Sequence, residues 1–395
     1  MLAQAILDVV TCVLIALIAA RLAPAERRRR VFVAAMWLAV VCPFTANYTA
    51  VVLTETLVTF LTALVILVLL ETELFVSNER QATLLFSPWL LGGIVAGFGT
   101  LVRPETPLIL FAVGLVLTAK WWRPRDWTKL LRAGVLMAIG VVLPLVPWAA
   151  RNWRTLHEVR FLAPRYSELP GEYTPHGFID WTNTWLWRFR DVYLTHWKLN
   201  EEEISVDSLP SSAFNSPQER ARVGELLDQY NESLTIGPDL DSEFREIARE
   251  RTAHHPFRTY VKVPFLRCFA LWFTPRVELL PISGHLTPVA EEWEDDRPDF
   301  LQTLGLVMVN CVYIALALAV ICIVPRTPFL WFLIIFIIVR TVFFAYAVET
   351  PEPRYVLECF PALIALGAQL FGVRFSFLRR ARGGSSPERS AGIVP

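Results

Sequence analysis

The chain has 395 residues, a formal net charge of zero and a hydrophobic content of 54%. Its mean hydropathy is +0.43, and the apolar residues form runs of about 20 residues, the length that crosses a bilayer as a helix. This pattern excludes an ordinary soluble domain. The zero net charge indicates no nucleic-acid partner. The sequence therefore predicts an all-α polytopic membrane protein.

Nine segments are predicted to cross the membrane as helices, and Pro43 interrupts the second of them. They are 2–20, 31–50, 53–71, 84–102, 105–121, 130–150, 301–324, 328–347 and 355–373. Six segments precede a long polar stretch and three follow it. We therefore expect residues 1–150 to hold helices one to six, residues 151–300 to form a soluble domain, and residues 301–373 to hold helices seven to nine.

The positive charges of the short loops predict the orientation. Lys and Arg are concentrated between the first and second, the fifth and sixth, and the seventh and eighth segments, and in the tail 374–395. By the positive-inside rule these loops and the basic tail, which we expect to be disordered, lie in the cytoplasm. Domain 151–300 then lies on the exoplasmic side of the plasma (inner) membrane, together with the loops near 48–52, 103–105 and 348–354.

The domain is predicted to be α-rich and to contain a helix that lies in the membrane interface. Residues 255–273 read HPFRTYVKVPFLRCFALWF, so that aromatic residues alternate with Arg258, Lys262 and Arg267. Three cations in so short a stretch argue against a transmembrane helix and favour an amphipathic interfacial one.

Four arginines stand at or near the exoplasmic helix ends, against the charge bias that sets the topology: Arg103, Arg151, Arg340 and Arg354. A cation at a helix C-terminus complements the helix dipole, which is a sufficient structural explanation for the first two. The third lies inside the eighth segment, where an arginine either faces a cavity or snorkels to the interface. The fourth begins an inward-running helix, where a cation opposes the dipole.

A bound anion explains these arginines better, because guanidinium groups match the oxygens of a phosphate. We predict that the four arginines converge in one exoplasmic cavity and bind a phosphate there together with Asn152 and Tyr355. Glu105 and Glu352 lie beside them in the sequence and are predicted to support the site. The spacing of the six cysteines indicates neither a disulfide framework nor a metal site, and no metal ion or cofactor is expected.

Thr54 and Glu55 begin an inward-running helix. Capping of that helix is a complete structural account of both residues. Glu55 is nevertheless a carboxylate at the exoplasmic end of a helix, which makes it the one candidate for a catalytic residue.

Four stretches carry a family resemblance: LTETLVTF at 53–60, GTLVRPE at 99–105, PWAARNWRTLHEV at 147–159 and PEPRYVLECFPALIALGA at 351–368. Together they resemble the polytopic glycosyltransferases of the GT-C class, above all family 39 and its bacterial relatives, which include protein O-mannosyltransferases and aminoarabinose transferases. The resemblance implies a membrane enzyme that moves a sugar from a polyprenyl-phosphate donor to a lipid, glycan or protein acceptor on the exoplasmic face. Arg103, Arg151, Arg340 and Arg354 would then hold the donor phosphate.

The chain departs from this family at its N-terminus. In the family, an aspartate in the loop after the first helix acts as the general base. We expect this chain to lack that helix and its acidic loop, so no residue inherits the role. Two alternative functions therefore stay open: a catalytically silent protein that binds a carrier lipid or a partner, and a transporter of a lipid-linked anion.

Overall fold

The computed structural model describes residues 1–72, 87–122, 125–163, 173–286, 288–324 and 327–373. Within these ranges the chain forms helices and turns and no strand. The α-helices are α1 Leu2–Leu22, α2 Arg28–Val40, α3 Pro43–Ala46, α4 Glu55–Leu70, α5 Pro88–Val102, α6 Leu108–Trp121, α7 Trp127–Leu156, α8 His176–Asn183, α9 Phe189–Tyr193, α10 Pro217–Ser233, α11 Pro238–His254, α12 Val263–Phe273, α13 Val289–Asp295, α14 Arg297–Ile323, α15 Pro328–Ala347 and α16 Phe360–Gly367.

The helices support a multi-pass membrane protein. In the described ranges, five are long and apolar enough to cross a bilayer: α1, α7, α14, α15 and the helical segment Pro353–Gly372 that contains α16. A sixth candidate is the pair Ala25–Val40 and Pro43–Ala50, bent by 50° at the break that precedes Pro43.

Three of the nine predicted segments form shorter helices. The apolar helices α4, α5 and α6 have 16, 15 and 14 residues, fewer than the ~20 that cross a typical bilayer. The described part of the chain thus contains five candidate spans, or six with the bent pair, and the predicted nine are not confirmed. The predicted start of the fourth segment, 84–86, and the tail 374–395 lie outside the described residues.

Helices α5 and α7 approach each other closely because glycines line their contact. A Cβ atom added to Gly93 would lie 2.4 Å from the carbonyl oxygen of Met137, and one added to Gly97 would lie 2.5 Å from that of Val141. From the other side, a Cβ on Gly140 would lie 2.5 Å from the Leu90 carbonyl oxygen. Small residues permit such backbone contact between apolar helices.

A second hydrophobic core lies in the polar part of the chain. It is built from residues between Phe178 and Ala248 on α8 to α11, and Trp181 and Trp185 are its largest buried members. The carboxylate of Asp241 accepts hydrogen bonds from the backbone N–H groups of Gly177 and Phe178, at 2.6 and 3.0 Å, and so caps the start of α8. We call residues 176–254 the helical domain.

Helix α12 connects this domain to the apolar bundle. The guanidinium of Arg267 donates hydrogen bonds to the Leu186 carbonyl and the Asn183 side chain of the domain, and to the Val348 carbonyl beyond α15. Burial lowers the pKa of Arg267 to about 10. On the opposite face, Phe265 and Phe269 are 71% and 54% exposed. This apolar outer face is the one expected of an interfacial helix.

Candidate functional site

Seven charged side chains form one network at a single end of the helical bundle. Its members are Glu55 at the start of α4, Arg103 just after α5, Glu105, Arg340 in the last turns of α15, Glu352, Arg354 and Glu358. We call this set the ionic cluster. Neighbouring helices run in opposite directions, so the starts of some and the ends of others meet at this end.

Arg103 is the centre of the ionic cluster. Its guanidinium donates hydrogen bonds to the Glu55 carboxylate and, over 3.1 Å, to the Thr54 hydroxyl. The same group lies 3.7 Å from a carboxylate oxygen of Glu105 and 3.7 Å from one of Glu358. One cation thus holds three carboxylates from three separate segments together.

Arg340 is the most deeply buried cation of the cluster. Its side chain is only 1% exposed, its Nη2 lies 2.6 Å from Oε1 of Glu358, and its Nε donates to the Tyr355 carbonyl over 2.8 Å. The guanidinium lies over the ring of Phe344, 4.8 Å from its centre, and that ring stacks on the Tyr355 ring. Through these contacts Arg340 joins α15 to the helical segment Pro353–Gly372, so its role is to hold these two apolar elements together.

Arg354 is the accessible cation of the cluster. Its side chain is 34% exposed, whereas that of Arg103 is 11% exposed. Its Nε lies 2.6 Å from Oε2 of Glu352, and its Nη1 lies 3.9 Å from Oε1 of Glu55. A ligand that approaches this end of the bundle therefore meets the Arg354 guanidinium first.

The cluster contains more carboxylates than arginines. Four glutamates face three arginines, so its formal charge is −1 when all seven groups are ionised. Oε2 of Glu55 and Oε2 of Glu358 are buried and have no hydrogen-bond partner in the part of the chain that the structure describes. A phosphate that binds here competes with carboxylates, because each guanidinium already has at least one carboxylate within 4 Å.

Of the four arginines predicted to converge, Arg151 does not join the cluster. It is exposed, donates to Oδ1 of its neighbour Asn152 over 2.9 Å, and lies over the ring of Trp148. The Asn152 side chain is buried and donates to the Arg160 carbonyl. Tyr355 is joined to the cluster through its backbone carbonyl and its ring, and its hydroxyl lies 3.4 Å from that of Thr350.

We compared the chain with models of protein families, with curated proteins and with solved structures, and none of them matches it. The GT-C resemblance stays a prediction.

Sequence reasoning missed Glu358, which bonds Arg340 and faces Arg103. It stands one helical turn after Arg354 in an otherwise apolar run. A carboxylate in that position needs a buried cationic partner, so the sequence indicates that a cation lies nearby, but it does not identify Arg340 as that cation.

A buried arginine next to the cluster was also missed. Arg276 is 3% exposed and donates to the Asn310 side chain over 2.7 Å and to the Leu271 carbonyl over 3.1 Å. Its guanidinium lies between the rings of Phe44 and Phe360, 5.4 and 5.2 Å from their centres. Asn310 is in the middle of α14, so the Arg276 guanidinium lies midway along an apolar helix of the bundle.

Two residues after Arg276, Glu278 is a further carboxylate with a hydrogen-bond partner. Glu278 accepts a hydrogen bond from the Tyr48 hydroxyl over 3.2 Å. Burial raises the pKa of the Glu278 carboxyl, and the nearby Arg276 partly offsets this shift. In the described residues no group of three His, Cys, Asp or Glu side chains is arranged to hold a metal ion.

Proposed function

We propose that the protein is a membrane glycosyltransferase that moves a sugar from a polyprenyl-phosphate donor to a lipid, glycan or protein acceptor on the exoplasmic face. One observation carries the proposal: an accessible arginine, Arg354, lies beside two carboxylates at one end of a bundle of apolar helices. A donor with its chain in the bilayer presents its phosphate at this level. The four stretches that resemble the GT-C class supply all three of these residues, Glu55, Glu352 and Arg354.

In this proposal Arg354 binds the donor phosphate. A guanidinium fork matches two phosphate oxygens and stabilises the negative charge that develops on the phosphate as the sugar leaves. The phosphate competes with Glu352 and Glu55 for the guanidinium. Arg103 and Arg340 remain paired with carboxylates and keep the helix ends in place.

Glu55 is the candidate base. Arg103 fixes its Oε1, while its Oε2 is buried and has no partner in the described chain. Arg354 lies 3.9 Å from this carboxylate. That distance is to Oε1, so Oε2 has no partner to lose. As the phosphate draws Arg354 away, the acceptor hydroxyl can approach Oε2 and give up its proton to it, as general base catalysis requires.

The proposal includes the finer topology. Helices α4, α5 and α6 cross the membrane together with the longer helices, to give nine spans. The basic loops lie in the cytoplasm of the plasma (inner) membrane, and the ionic cluster and the helical domain lie outside. Single cysteines introduced at residue 354 and in residues 217–233 of a cysteine-free chain would then react with the same impermeant reagent in intact cells. Reaction of only one of them would contradict this topology.

The function is tested by sugar transfer in membranes. A series of polyprenyl-phosphate sugars, each radiolabelled in the sugar, is added to membranes that contain the protein, and transfer of label from the donor is measured. We expect transfer from one donor, ~10-fold slower with Arg354→Lys and ~100-fold slower with Arg354→Gln, because a bidentate charge-assisted bond is weakened or lost. Arg154→Gln is the matched control, since Arg154 is an exposed arginine outside the cluster.

Two outcomes would contradict the proposal: no transfer from any donor, or equal transfer by the Arg354 variants and the unchanged protein. Glu55→Gln separates an enzyme from a silent lipid-binding protein. It is expected to abolish transfer while a photoreactive donor still labels the protein.

The transporter alternative has one observation in its favour. Arg276 and Asn310 place polar groups midway along α14, and the pair Ala25–Val40 and Pro43–Ala50 is broken. Deep polar groups and broken helices are typical of transporters. Movement of an intact lipid-linked anion across proteoliposomes, without release of its sugar, would favour this function over transfer.

A further inference from the structure

An apolar groove lies between α5 and α7, apart from the ionic cluster. Its volume is about 500 Å³, within the ~300–1,000 Å³ typical of small-molecule sites. Only apolar side chains line it, among them Ile94, Phe98 and Leu101 from α5 and Leu143, Pro147 and Trp148 from α7.

The groove opens to the outside of the bundle. Phe98 is 53% exposed and Leu143 is 50% exposed. Half-exposed large apolar side chains in the middle of apolar helices contact the hydrocarbon part of a bilayer rather than water. Gly93, Gly97 and Gly140 let the two helices pack closely on their inner side, and the groove lies on the outer side of this contact.

A cation without a carboxylate partner stands at one end of the groove. The guanidinium of Arg151 lies 5.2 Å from the centre of the Trp148 ring, which lines the groove. Its polar contact is with the neutral Asn152 side chain, and within the described residues no carboxylate forms an ion pair with it. Arg103, Arg340 and Arg354 are each paired with at least one glutamate.

An apolar groove that ends at an unneutralised guanidinium is complementary to one class of molecule. We propose that this site holds an anionic phospholipid, with an acyl chain along the groove and its phosphate on Arg151. A guanidinium is well suited to phosphate oxygens and keeps its charge while it stacks on an aromatic ring. The site is distinct from the one proposed for the donor, because Arg151 does not belong to the ionic cluster.

The test is lipid retention measured by native mass spectrometry of the full chain. The protein is equilibrated with phosphatidylglycerol or with phosphatidylcholine of the same chains, and the affinity for the first bound lipid is determined. We expect preference for phosphatidylglycerol, and a loss of about fivefold in Arg151→Gln, which corresponds to the ~1 kcal/mol that one cation contributes next to an anionic lipid. Leu143→Trp fills the groove but leaves the charge of Arg151 in place. It is expected to weaken the binding of both lipids equally.

Arg154→Gln is the matched control. This arginine is also exposed on α7, but it lies about 240° around the helix from Trp148, so phosphatidylglycerol should be retained as in the unchanged protein. The proposal is overturned if Arg151→Gln and Arg154→Gln have the same effect, or if Leu143→Trp binds phosphatidylglycerol normally. Displacement of phosphatidylglycerol by equimolar polyprenyl phosphate from the unchanged protein, but not from Arg151→Gln, would assign the site to the donor and overturn it as well.

Discussion

The helical domain and the apolar bundle each bury an arginine, and they satisfy it differently. In the domain, Arg251 is fully buried and donates to the Glu219 carboxylate, the Thr184 hydroxyl and the backbone carbonyls of Ser212 and Ala213. Each of the three nitrogens of that guanidinium has an acceptor. In the bundle, three arginines share four carboxylates, and two carboxylate oxygens are left without a partner among the described residues.

The difference separates a structural ion pair from a candidate site. A buried charge whose nitrogens all have acceptors within the fold fixes one arrangement of the chain, which is a structural role. Unpartnered buried oxygens raise the free energy of the folded state, so each of them needs an explanation, of which a bound ligand is one. Four predictions test whether this contrast is real.

The largest effect is expected at Arg340. Arg340→Met leaves the Glu358 carboxylate buried without its main partner, which costs ~3–5 kcal/mol. The melting temperature of the purified full chain in detergent, followed by tryptophan fluorescence, should fall strongly. The double variant Arg340→Met, Glu358→Leu should recover most of the loss, because no unpaired charge remains. A double variant as unstable as the single one would contradict a simple ion pair.

A smaller effect is expected at Arg251. Arg251→Met removes the hydrogen-bond donors of two buried carbonyls, which lowers the free energy of unfolding by ~2–3 kcal/mol. The loss is smaller than at Arg340 because Glu219 is 15% exposed and can turn to water. Amide hydrogen exchange in residues 176–254 of the full chain should accelerate, and exchange in α4 and α15 should stay unchanged. Acceleration throughout the bundle would show that domain and bundle unfold together.

His196 makes the helical domain sensitive to acid. Burial lowers its pKa from 6.5 to about 4, so the unfolded chain binds a proton at a higher pH than the folded domain does. Protonation of His196 therefore favours the unfolded chain below about pH 6.5. We expect the free energy of unfolding of the domain to be unaffected by His196 at higher pH and to fall as the pH drops toward 4, by ~2 kcal/mol between pH 8 and pH 5.

Hydrogen exchange in residues 176–254 of the full chain, measured at pH 8 and pH 5 and corrected for intrinsic exchange rates, tests this. His196→Gln should reduce the difference between the two pH values. An equal difference in the variant would assign the acid sensitivity to other groups.

The smallest effect on stability is expected at Arg354. Arg354→Lys keeps a cation beside Glu352 on a side chain that is one-third exposed, so the melting temperature should change by the equivalent of less than ~1 kcal/mol. The same variant should slow sugar transfer. A large loss of stability would place Arg354 with Arg340 and Arg251 among the structural cations.

Much of this architecture follows from residue order. Apolar runs specify the helices, because each run must remove its backbone polar groups from lipid. Pro43 indicates where a helix breaks, and the cations among the aromatics of 255–273 indicate a helix with an outward apolar face. The prediction that four arginines meet follows from the position of each near the end of an apolar run. Three of them, Arg103, Arg340 and Arg354, lie in the ionic cluster, and Arg151 does not.

Tertiary structure decided the rest. The sequence presents Arg103 and Arg151 as equivalent cations after two apolar helices, yet one is the centre of a network and the other faces a groove. Rotation of each helix about its axis determines this, and close packing of glycines and large side chains sets that rotation. Likewise, only folding brings Glu358 to Arg340 and Arg276 to Asn310, because ion pairs and hydrogen bonds act over a few ångströms between groups that are far apart in the chain.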